Sequence, residues 1–169
     1  MSTVYENLQN QLDEALRKYH ETRQRASKIV EALVSICVDQ LGFPHNSFMF
    51  RRTPQDAQES ASFFPAPQME CSNNGEWSVT IDVRVKSAAR EDNCVTFIPV
   101  TIRIKDTSIQ LSLTDDPDKS VEISHLPGAS RTDLETFCGW IREKVEGTFR
   151  WIATGEGRPE RRMGFHTEA

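Results

Sequence analysis

The run Asn73-Asn74-Gly75-Glu76 followed by Trp77-Ser78-Val79-Thr80-Ile81-Asp82-Val83-Arg84-Val85-Lys86 reads as a turn entering a long β-strand. Trp77, Val79, Ile81, Val83 and Val85 fall on one face and Ser78, Thr80, Asp82, Arg84 and Lys86 on the other, because successive side chains of an extended chain alternate. An Asn-Gly pair favours a tight hairpin turn, so Met69–Ser72 is expected to fold back onto Trp77–Lys86. The alternation continues downstream. After a loop at Ala88–Asn93, Thr96, Ile98, Val100, Ile102 and Ile104 share one face of Val95–Lys105, and Ile109, Leu111 and Leu113 share one face of the next strand. Asp106-Thr107 and Asp115-Asp116-Pro117-Asp118 read as turns, and Val121 and Ile123 resume the pattern. Pro99 has no amide hydrogen, which places its strand at a sheet edge or bulges it there. The expected sheet is an antiparallel meander of about four to six strands with one apolar face, the signature of a sheet covered on one side only.

Upstream, Thr3–Leu41 contains neither proline nor glycine. Ser2 and Thr3 are candidate N-caps, Glu6 follows Thr3 at capping-box spacing, and Gly42 with Pro44 supplies a stop. Such a helix runs roughly 55–60 Å at 1.5 Å per residue, longer than a small domain is wide. Tyr5, Leu8, Leu12, Ala15, Tyr19, Thr22, Ala26, Ile29, Leu33 and Ile36 recur at alternating spacings of three and four, a heptad seam. Up to Arg25 the stripe is narrow, flanked by Asp13, Glu14, Arg17, Lys18, Glu21 and Arg23. From Ala26 it widens to include Val30, Val34, Cys37, Val38 and Leu41. A narrow stripe suits a helix–helix seam and a wide one suits packing on a core. Residues 1–25 are therefore expected to project and to self-associate through Tyr5, Leu8, Leu12, Ala15 and Tyr19, since Leu8, Leu12 and Leu16 left bare would be costly. The plainer reading is one helix lying across its own domain.

Ser47–Arg51 reads as a strand, and Thr53-Pro54 as the start of a short helix to about Phe63 or of a lid loop within Pro44–Pro67. Near the other end, Ser130 reads as an N-cap with Asp133 in the first turn. Leu134, Phe137, Cys138, Ile141, Val145, Phe149 and Ile152 form the buried stripe of a last helix, with Trp140 and Trp151 at its margin and Gly155 and Gly157 ending it. Residues 26–154 are thus an α+β domain, and 155–169 a polar tail expected to lack fixed structure. The expected fold is α+β, a two-layer sandwich with the N-terminal and C-terminal helices on one face of the meander.

At 169 residues there is material for one domain with a real core. The formal charge of −5 gives no general attraction to nucleic acid or to an anionic membrane, and neither is expected as a partner. No run approaches the roughly 18–20 apolar residues of a membrane span, and Met1–Leu12 lacks the basic-then-apolar order of a secretory signal. These features point to a cytoplasmic protein, in which the widely spaced Cys37, Cys71, Cys94 and Cys138 are expected as reduced thiols.

Candidate chemistry is sparse. Gly155-Glu156-Gly157 follows a helix rather than a strand and reads as a helix stop, not a phosphate loop. His45, Cys71, Cys94 and His125 lie in four segments with no ligand spacing among them, so no metal is expected. The Asp115–Asp118 cluster holds a proline where a calcium loop needs glycine. Cys37 and Cys138 sit on helix stripes as packing residues, leaving Cys94, near Arg90, as the candidate reactive thiol. On the polar sheet face Arg84, Lys86, Arg103 and Lys105 are a candidate anion or partner patch. Phe97 is the one aromatic there, which is too few for an RNA stacking platform. The best reading is a non-enzymatic, self-associating binding or adaptor protein, a homodimer with no cofactor, whose sheet face or edge engages a polypeptide. The alternative is a small-molecule binder or enzyme with a pocket between sheet and helices under residues 44–67.

Overall fold

A computed structural model describes residues 3–52, 61–90, 92–124 and 131–155, and the backbone of 164–167. Helix α1 spans Val4–Leu41. Its start is a full capping box: the Glu6 amide donates to Thr3 Oγ1 at 3.2 Å and the Thr3 amide donates to Glu6 Oε2 at 2.6 Å. Its end is Gly42, left-handed at φ 69°, whose amide donates to the Val38 carbonyl. The strands are β1 (Phe48–Arg51), β2 (Glu70–Cys71), β3 (Glu76–Lys86), β4 (Asp92–Ile104), β5 (Ser108–Leu113), β6 (Asp116–Ser124) and β7 (Gly164–Thr167), with α2 at Arg131–Thr154. The main sheet order is β1-β3-β4-β5-β6, antiparallel throughout, with β2 paired to β3 and β7 to β4. This is the α+β sandwich expected from the alternation. The short helix or lid read at Thr53–Phe63 lies largely outside the described residues, as does the Ser130 cap.

The β2–β3 turn follows from its sequence. Gly75 takes φ 74° and its amide donates to the Ser72 carbonyl, while Ser72 Oγ accepts from the Asn74 and Glu76 amides. The β3–β4 register then puts like faces together: Trp77 opposite Ile102, Val79 opposite Val100, Ile81 opposite Ile98. These residues form one core with Leu111, Leu113 and Ile123, closed by Ala26, Val30, Leu33 and Cys37 of α1 and Leu134, Phe137, Ile141 and Val145 of α2.

Four expectations need correction. Pro99 sits in a central strand, not an edge strand. Its carbonyl accepts from the Thr114 amide, and a strand residue aims its N and its carbonyl to the same side, so the missing donor faces a place where β5 has already ended. Secondly, the sheet is not open over the whole of its second face, because Thr80, Asp82, Val95 and Pro99 in its middle are buried. Thirdly, the polar tail contains an ordered piece, as Gly164–Thr167 pairs with Asp92–Val95. Fourthly, Phe149 and Ile152 are exposed, because α2 outruns the sheet that buries the rest of its stripe.

The cysteines give a further correction. Cys37 and Cys138 are not separate thiols but a disulfide joining α1 to α2, with Cα atoms 5.5 Å apart. Each lies on the buried stripe of its helix, and the two stripes face each other, a meeting that spacing in the chain could not reveal. Cys71 and Cys94 remain free.

Candidate functional site

The most distinctive surface is the first half of α1. Ala26 is the first fully buried residue of the helix, and Thr22 and Arg23 are half-buried. Before them Val4, Tyr5, Leu8, Leu12 and Leu16 are exposed, with 77, 69, 57, 58 and 46% of their surfaces in solvent. Residues 4–18 therefore form an overhang of about 22 Å carrying a continuous apolar stripe. Exposed apolar patches reaching a few hundred Å2 mark interaction sites rather than ordinary surface. Ala15 is exposed on the same stripe. Tyr19 is different: its ring lies 5.1 Å from that of Trp77 on β3, so it ends the overhang against the domain.

The opposite side of the overhang is charged. Arg17 bridges Glu14 at 2.7 Å and Glu21 at 2.6 Å. The guanidinium of Arg17 outweighs the slight burial of the Glu14 carboxyl and holds it below the usual range. Exposed pairs of this kind contribute little, being screened by water and salt, so they support the helix without explaining its apolar face.

The basic residues proposed as a patch are not brought together. All four lie on the polar side of the sheet, but β3 and β4 run in opposite directions. Arg84 and Lys86 end one side of the ladder, opposite Val95 and Asn93, while Arg103 lies at the far end opposite Glu76. Eight residues of strand separate the two ends, about 26 Å. Arg103 pairs with Glu76, and Lys105 lies 3.3 Å from Glu122. The Glu122 carboxyl is held below its ordinary range, first by a hydrogen bond from Ser108 and then by Lys105.

Sequence reasoning missed a polar cluster at the centre of that face. Asp82, fully buried in β3, accepts from Arg51 Nε of β1 at 2.7 Å, and the Arg51 guanidinium lies 5.4 Å from the centre of the Phe97 ring on β4. Alternation put Asp82 on the polar face beside Thr80 and Arg84, so the sequence held no local signal that this carboxylate is buried and needs a partner.

Two adjoining cavities, of about 330 and 260 Å3, share Val85 and Phe149. The first lies between Gln40, Leu41 and Phe43 at the end of α1 and Arg142, Val145 and Glu146 of α2; the second runs along Lys86, Asp92 and Cys94. None of the described lining residues comes from 44–67, where the pocket was expected. Burial pushes the Cys94 thiol up, which lowers its thiolate fraction and weakens its case as a nucleophile. Among the described residues no three His, Cys, Asp or Glu side chains converge as metal ligands, and no helix is long and apolar enough to cross a membrane. No family model, curated protein or solved structure matches this chain.

Proposed function

We propose that this chain is a self-associating binding protein: the α1 overhang pairs with that of a second copy, and the dimer presents two α+β domains to a polypeptide partner. The apolar stripe Val4, Tyr5, Leu8, Leu12, Leu16, set on a capped helix beyond the edge of its own domain, is the observation that carries this reading. Its occupant must be apolar and elongated, and a second overhang meets both demands. Two such helices bury an area near the lower bound for a specific interface, about 1,000 Å2, so the dimer is expected to dissociate on dilution.

Replacing Leu8 and Leu12 together with Asp tests this. Light scattering should give twice 19.3 kDa for the parent and 19.3 kDa for the variant. The variant domain should still unfold cooperatively, its midpoint lowered only by the stabilisation that association adds to the parent, because neither side chain reaches the core. An unchanged oligomer, or a parent that is monomeric at high micromolar concentration, would reject the reading.

The adjoining cavities favour a second reading, a small-molecule site, since the larger is within the roughly 300–1,000 Å3 of ligand pockets. A thermal-shift screen with metabolites should then yield a ligand whose stabilisation disappears in Phe149→Asp. A cytoplasmic location belongs with the proposal too. Cys37 and Cys138 are 0 and 1% exposed, and thiol exchange requires access to a sulfur, so their bridge would persist among cellular reductants.

A further inference from the structure

We infer that the two overhangs pair antiparallel, placing the domains at opposite ends of the dimer; this rests on the self-association proposed above. An α-helix turns by about 100° per residue, which puts Tyr5, Leu8, Leu12 and Ala15 on the same side of α1 as Ala26, Val30, Leu33 and Cys37. The latter four are buried in the core with sheet and α2, and Tyr19 already rests on Trp77. The domain therefore stands on the seam side of its own helix. Parallel helices packed at about 8–10 Å would drive both domains into the space between them. Antiparallel helices put each domain past the Thr3–Val4 start of the partner's α1 and clear of the partner's domain.

The sizes of the seam residues agree. With Leu8 level with the partner's Leu12, Tyr5 comes level with the partner's Ala15, so large meets small and the layers are even in volume. A parallel in-register pair would set Tyr5 on tyrosine and Ala15 on alanine, giving one swollen layer and one empty one. Charge agrees as well. Parallel pairing brings the flanking Lys18 beside the partner's Arg23, a like-charge contact, whereas the antiparallel register flanks the seam with Gln9 and Gln11 of both copies.

The test is a pulsed spin-label distance on the full chain carrying Lys28→Cys, with the free thiols removed as Cys71→Ser and Cys94→Ser. Lys28 is exposed, on the side of α1 away from the core. The antiparallel register separates the two labels by about 54 Å along the axis at 1.5 Å per residue. A parallel pair holds them within roughly 35 Å even if the helices splay, starting from about 8–10 Å at the seam. Light scattering is run on the same sample. A dimer with the long distance supports the inference. A dimer with the short distance overturns it and leaves self-association standing, and a monomer overturns both.

Discussion

Breaking the Cys37–Cys138 bridge is expected to lower the stability of the fold by about 4 kcal/mol. The bond closes a loop with a sequence separation of 101 residues, and a loop of that size restricts the unfolded chain strongly; each doubling of loop length adds about 0.6 kcal/mol to the effect. Against a typical domain stability of about 5–15 kcal/mol, that is a large share. The measurement is urea unfolding of the oxidised protein beside a Cys37→Ala/Cys138→Ala variant. The variant should unfold at lower urea. Its slope against denaturant should also be steeper, because an uncrosslinked unfolded chain exposes more surface. A difference below about 1 kcal/mol would remove the bridge from the features that stabilise this fold.

Asp82→Ala should cost about 3–5 kcal/mol, the range for removing one partner of a buried ion pair. Arg51 has only 11% of its side chain in solvent and Asp82 has none, so water cannot replace the lost partner. The Arg103–Glu76 pair on the same face is the control. Its side chains are 54 and 27% exposed, and Glu76→Ala should cost less than about 1 kcal/mol. Denaturation of the parent, Asp82→Ala, Arg51→Met and the double variant Arg51→Met/Asp82→Ala forms a cycle. The double variant is expected to be more stable than Asp82→Ala alone, because it removes the buried guanidinium together with its carboxylate. A sum of the two single costs in the double variant would show that the pair is not coupled.

The contrast between these two ion pairs also marks how far sequence reading could go. The alternation in Trp77–Lys86 and Val95–Lys105 contained the two faces of the sheet, since an antiparallel pair matches apolar face to apolar face. The Thr3–Glu6 capping box and the Gly42 stop were local, and local chemistry is legible. Arg51 and Asp82 are 31 residues apart on strands that are not neighbours in the chain, and no local rule says that β1 returns beside β3. Cys37 and Cys138 met for the same kind of reason, two stripes each readable alone but not as facing one another. The proposed basic patch failed to assemble because face alternation says which side a residue takes and nothing of its distance along the ladder. In the overhang, by contrast, the apolar stripe was visible from its spacing. What the structure added was the side on which the domain stands, and the point, at Tyr19 and Trp77, where the free stripe ends.

The bridge between α1 and α2 has a mechanical side. Strands β1 to β6, Phe48 through Ser124, all lie between Cys37 and Cys138. Tension applied through the projecting helix and the segment after α2 would pass from one helix to the other through the sulfur atoms and bypass the meander altogether. A tether pulled from both ends could unwind the overhang and the last turns of α2, and could peel away β7, yet the six-stranded body would carry almost none of the load. The chain is built like a strap with a closed buckle, in which the part that gives the domain its shape is the part that force does not reach.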